Sequence, residues 1–172
     1  MTPIETFFDA FEHTQLSLWM RGPSLLAFPA ILTLHTIGMG FLAGTSAAID
    51  LRVLGVAPRV PLPAMQNFYP VLWGALALNF VSGCFLFVAY PYKAATNPVF
   101  YVKLGLIAGA VYLMVRIRRE VLRDSRAEKN WVWPRAKALA AASLVLWAGA
   151  ITAGRLLAYT FTWLRVGIPG GF

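Results

Sequence analysis

Four stretches of the chain are continuously apolar: about 24–50, 68–90, 98–116 and 137–163. Each is long enough for a helix to cross a bilayer, which takes about 20 mostly apolar residues. Prolines fall mainly between them, at Pro58, Pro61, Pro63, Pro91, Pro98 and Pro134, while Pro29 falls inside the first. Lipid forbids unpaired backbone groups, so four helices are the economical solution. Short links make successive helices antiparallel. The pattern therefore predicts an all-α fold, a four-helix transmembrane bundle formed by residues 1–172 as a single membrane domain.

The first 23 residues read differently. Ile4, Phe7, Phe8 and Phe11 recur at helical intervals, after "TPIE" at 2–5, which has capping-box spacing with proline at the first helical position. This predicts a peripheral amphipathic helix lying at the membrane interface, with Trp19, Arg21, Gly22 and Pro23 as the corner into the first span. Its start is acidic, carrying Glu5, Asp9 and Glu12, and the apolar run that follows is long. A retained anchor is expected there, not a cleaved signal peptide.

Composition agrees with the pattern. Of 172 residues, 59% are hydrophobic and only 13% charged, about half the charged share of a soluble domain. The net charge of +8 is clumped. Arg116, Arg118, Arg119, Arg123, Arg126, Lys129, Arg135 and Lys137 follow the third span, and Arg52 and Arg59 follow the first. Both clusters belong to one side, which the positive-inside rule makes cytoplasmic. The expected location is a bacterial inner membrane, multi-pass, with both termini periplasmic. The basic link after the third span reads as an extension of that helix followed by a turn at Trp133-Pro134. Its charges need no nucleic acid to explain them. The single cysteine, Cys84, leaves no C-x-x-C for zinc and no C-x-x-C-H for heme attachment.

Four polar groups lie within the spans: His35, Asn79, Lys103 and Arg155. Such groups are costly in lipid and usually face the bundle. The antiparallel arrangement puts them at comparable depth in the outer half, His35 about 16 Å from the outer start of its helix. Two readings of His35 stand side by side. It is either a buried neutral histidine bonded to a neighbour, or a ligand or proton-handling group. Neutral imidazole is a common axial ligand of heme iron, and Lys103 and Arg155 would suit propionates or would snorkel to headgroups. Gly38, one turn from His35, either leaves room for a macrocycle or permits close helix packing. Asn79, on a face with Ser82 and Gly83, reads as an interhelical hydrogen-bonding group. His13 is either solvated or, if the N-terminal helix folds back, a second axial ligand. Gly40 and Gly44 form a G-x-x-x-G on the opposite face from His35 and read as a helix-contact surface. Asp50 opposes the helix dipole and is expected to have a cationic partner in Arg52 or the basic link. The alternative for D-L-R is a route for ions or protons.

These motifs are familiar in combination. Pro29, His35 and Gly38, then Asp50-Leu51-Arg52 with Leu54 and Gly55, then Asn97, Pro98, Phe100 and Lys103 resemble an uncharacterised bacterial family of small four-helix membrane proteins over about residues 15–120. In layout the chain is also similar, more distantly, to the copper resistance protein D family and to the HemJ-type protoporphyrinogen oxidases. The latter resemblance implies a heme b site with His35 and Lys103 at the matching positions, although the D-L-R end and the absence of W-x-x-x-K-L depart from that pattern. The expectation is a b-type heme-binding or electron-transfer subunit, an oxidoreductase component exchanging electrons with quinone or a periplasmic partner. The alternatives are a non-catalytic anchor or assembly subunit, bound to other membrane subunits or to copies of itself, and a copper-related protein. Against copper, Met39, Cys84 and Met114 form no spaced soft-ligand motif.

Overall fold

A computed structural model describes Ala10, residues 12–122 and residues 133–166. The described residues form helices and turns without strands. In chain order they are α1 (Gln15–Arg21), α2 (Phe28–Leu54), a 3-10 segment (Leu62–Phe68) leading into α3 (Tyr69–Ala89), α4 (Pro91–Ala95), α5 (Pro98–Ile117) continued by a π turn (Arg118–Leu122), and α6 (Trp133–Val166). Four of these units are long and apolar enough to span a membrane. The chain is a multi-pass helical bundle.

The span limits move for local reasons. Pro29 falls within α2, as expected, but in its first turn, where the missing N–H has no acceptor to lose. Pro134 is likewise in the first turn of α6, so Trp133-Pro134 opens a helix instead of making the expected turn. The third span does run on past 116, as a π turn to Leu122, and the rest of the basic link through residue 132 lies outside the described residues. The 3-10 segment before α3 and the short α4 were not expected.

At the other end of α2, D-L-R-x-L-G is a helix stop. Gly55 has φ +108°. Its N–H donates to Arg52 O and that of Val56 to Leu51 O, the paired closure of a Schellman motif. Gly55→Ala is expected to lower stability by about 1 kcal/mol, because an L side chain resists this backbone region. Thermal unfolding in detergent would measure it.

Around the bundle the four spans follow one another in sequence order. α2 packs along α3, α5 packs along α6, and α2 also packs on α6. α3 and α5 close the ring through side chains. The Tyr69 hydroxyl donates to Met114 O at 2.9 Å, and Phe87 stacks on Phe100 with centroids 5.8 Å apart. The apolar core lies toward the basic links and includes Leu42, Ile49, Val53, Leu72, Ile117 and Trp147.

Glycines set the closest approaches, as expected where dispersion rather than water exclusion holds helices together. A Cβ on Gly38 would stand 3.4 Å from Asn79 N. Gly109 receives Leu146 and Gly149 receives Leu106 in reciprocal contacts between α5 and α6. Gly40 and Gly44 meet nothing within 4 Å. The G-x-x-x-G surface is thus not a contact inside this chain, because α3 and α6 occupy the other faces of α2.

Thr14 caps α1 by accepting a bond from Ser17 N. Arg21 returns to Glu12, bonding its backbone carbonyl and its carboxylate. Ser17 and Met20 are buried while Leu16, Leu18 and Trp19 are exposed, and α1 leans on α3. The capping box at 2–5 and Ile4, Phe7, Phe8 and Phe11 lie outside the described residues.

Candidate functional site

In the half of the bundle away from the basic links, α2 and α3 meet at His35. Its ring Nδ1 is 3.0 Å from Ser82 Oγ. Ser82 Oγ is also 2.6 Å from Leu78 O and 3.2 Å from Asn79 O. Both carbonyls only accept, so the single hydroxyl hydrogen is committed to them. The ring must then donate from Nδ1 to Ser82. Neutral His35 is therefore the Nδ1–H tautomer, with the lone pair on Nε2. Among the described residues Nε2 has no hydrogen-bond partner. Asn79 Nδ2 donates to the backbone carbonyl of His35 at 2.9 Å, fixing the helix that carries the ring. The ring edge lies over Gly83, where a Cβ would stand 3.3 Å from Cε1.

Lys103 enters from α5. Its side chain crosses α6 at Gly154, where a Cβ would stand 3.7 Å from Nζ. The ammonium is half-buried and within electrostatic range of the imidazole. No ion pair to Lys103 occurs among the described residues. The site therefore offers a lone pair and a positive charge, with no carboxylate of its own at that depth among the described residues.

The structure brings together His35, Asn79 and Lys103. It does not add Arg155, which follows Gly154 and turns outward, exposed. His13 is exposed in the turn ahead of α1. Gly38 is buried against the α3 backbone at Asn79 and Ala75, so that glycine serves helix packing. Asn79 performs the interhelical bonding expected of it. The partner that matters most, Ser82, had been visible only as a neighbour of Asn79 on the helix face. Gly83 and Gly154 give the ring and the ammonium their places.

A second polar group lies near the basic links. Asp50 is 1% exposed. Among the described residues its neighbours are the hydroxyls of Ser46, one turn back, and Ser143 of α6, and no ion pair to it occurs there. Arg52 instead donates to the carbonyls of Val60 and Pro58 in the link. The physical reason is reach: Arg52 is two residues on, on another face of the helix.

Fold and sites together define a multi-pass helical membrane protein with polar side chains engaged inside its bundle. No family model, curated protein or solved structure matches the chain.

Proposed function

We propose that the end of the bundle away from the basic links would hold a b-type heme, with His35 as the residue that would bind its iron and Lys103 as the one that would pair with a propionate, and that the chain is an electron-transfer subunit of a bacterial inner membrane. The observation that supports this most is the His35–Ser82 bond, which leaves the Nε2 lone pair available in the neutral ring. Ligating histidines characteristically donate their other N–H to a neighbour in this way. Heme, when bound, supplies reversible one-electron chemistry. Ser82 orients the ring, Asn79 holds α2 against α3, and Lys103 places a positive charge, without an ion pair among the described residues, in a region poor in water, where pairing with an anion is strong. The basic links face the cytoplasm by the positive-inside rule, which puts this site on the periplasmic side, within reach of quinone or a periplasmic partner. The match of His35 and Lys103 to the heme-b oxidase layout supports the same reading.

A second reading draws on Gly40, Phe41 and Gly44. The two glycines are uncovered within the chain, and Phe41 beside them is 59% exposed. A membrane anchor or assembly subunit would use this face against another subunit or a second copy. The absorption spectrum of protein purified from heme-replete membranes separates the two. A Soret band with about one heme per chain is expected. A colourless protein retained in a larger complex would sink the heme reading and favour the anchor.

A further inference from the structure

We propose that Asp50 is an exchangeable proton site near the basic-link end of the bundle, taking a proton from water on that side and holding it beside Ser143. This proposal is independent of heme binding.

The argument is geometric. The Asp50 carboxyl is nearly inaccessible, and Ser143 is completely buried. Among the described residues Asp50 Oδ2 and Ser143 Oγ both lack a hydrogen-bond partner, although Ser143 is the neighbour that α6 presents to this carboxyl. Trp147 Nε1 donates to Ser46 Oγ at 2.9 Å. That bond occupies an acceptor position on Ser46 and leaves its hydroxyl hydrogen free to donate. The carboxyl thus sits in a small polar nest built from two helices, inside an apolar core.

Charged and titratable groups approach from two further directions. Tyr69 of α3 is within electrostatic range. Its hydroxyl, however, is committed to Met114 O. Arg118, at the end of α5, lies over the Tyr69 ring at 4.8 Å from its centroid. On α2 itself, Arg52 is turned to the link carbonyls. From α6 come the Ser143 hydroxyl and the Trp147 indole. No salt bridge to Asp50 occurs among the described residues. A buried carboxylate without a paired cation is costly, and taking up one proton removes that cost. Asp50 is four residues from the end of α2, about 6 Å along the axis, so the path to water is short. An alkali cation fits less well. Ser46 Oγ already faces an N–H, and the oxygens of Asp50 and Ser143 alone are too few to replace a hydration shell.

The test is pH-difference infrared spectroscopy of the full chain in lipid vesicles, in sodium and in choline buffers. The expected wild-type result is a carboxylic-acid C=O band that grows as pH falls, shifts in D2O and is identical in both buffers. Asp50→Asn should lack it. Ser143→Ala retains the carboxyl and should shift the band to higher frequency, which keeps the test decisive if Asp50→Asn does not fold. Failure to find a titrating band, a band that survives Asp50→Asn, or one unmoved by Ser143→Ala would each overturn the proposal. So would a band that sodium suppresses at fixed pH, which would mark an alkali-cation site.

Discussion

His35→Ala is expected to yield a folded protein without a Soret band, while Ser82→Ala should retain heme about 10- to 100-fold more weakly. The difference follows from the roles of the two side chains. His35 supplies the lone pair, so its removal takes away the ligand. Ser82 only fixes the tautomer and the ring angle through its contact with Nδ1, so its removal leaves a ligand that must be ordered on binding. Lys103→Gln should lower the midpoint potential, because a nearby positive charge favours the reduced, less positive iron. Arg155→Ala is the internal control. Arg155 is exposed, and the cation within electrostatic range of His35 is Lys103, so heme content should not change. Heme titration and redox potentiometry of the four variants would show this order. Equal loss of heme in all four would mean that the site is not organised around His35.

Tyr69→Ala should be the most damaging single change to stability outside the site, at about 3–5 kcal/mol. Tyr69 is among the largest fully buried side chains, 1% exposed. In a bilayer the unfolded reference keeps its helices inserted, so the loss is one of packing rather than of transfer from water. Three contacts disappear together. The hydroxyl bond to Met114 O ties α3 to α5, helices that otherwise close the ring by little more than side chains. The ring also carries Arg118 on its face, a contact typically worth about 0.5–2 kcal/mol. The rest is a cavity beside Leu72 and Ile117 in the core. Tyr69→Phe keeps the ring and should cost only about 1 kcal/mol. Unfolding in mixed micelles, followed by tryptophan fluorescence, would separate the two. Similar losses for both variants would show that the hydroxyl, not the ring volume, carries the stability.

The existence and approximate limits of four spans were legible because lipid imposes a demand that composition alone can meet: about 20 apolar residues with every backbone group paired within the segment. Prolines misled only at the ends. Pro29 and Pro134 look like interruptions, yet both sit in a first helical turn. The depth of His35, Asn79 and Lys103 was equally readable, since depth follows from counting residues along antiparallel helices. Facing was not. Arg155 shares the depth of the cluster but points elsewhere, and Gly40-x-x-x-Gly44 has the spacing of a contact face with nothing on it inside the chain. Asp50 was expected to have a cationic partner, and the groups beside it among the described residues are the hydroxyls of Ser46 and Ser143.

The sequence by itself determined the solvent in which this protein folds, the number of its spans and the level at which its polar groups lie. These are properties of single helices, and each is encoded within one continuous stretch. Only the tertiary structure decided that α2 lies between α3 and α6, that Ser82 is hydrogen-bonded to Nδ1 of His35, that Lys103 crosses Gly154, and that Ser143 comes to Asp50. Each of those joins residues of different spans. It depends on how neighbouring helices are rotated about their axes, and rotation is set by the close fit of small residues such as Gly38, Gly109 and Gly149 against their partners. In a uniformly apolar helix the pattern along the chain carries little information about that angle.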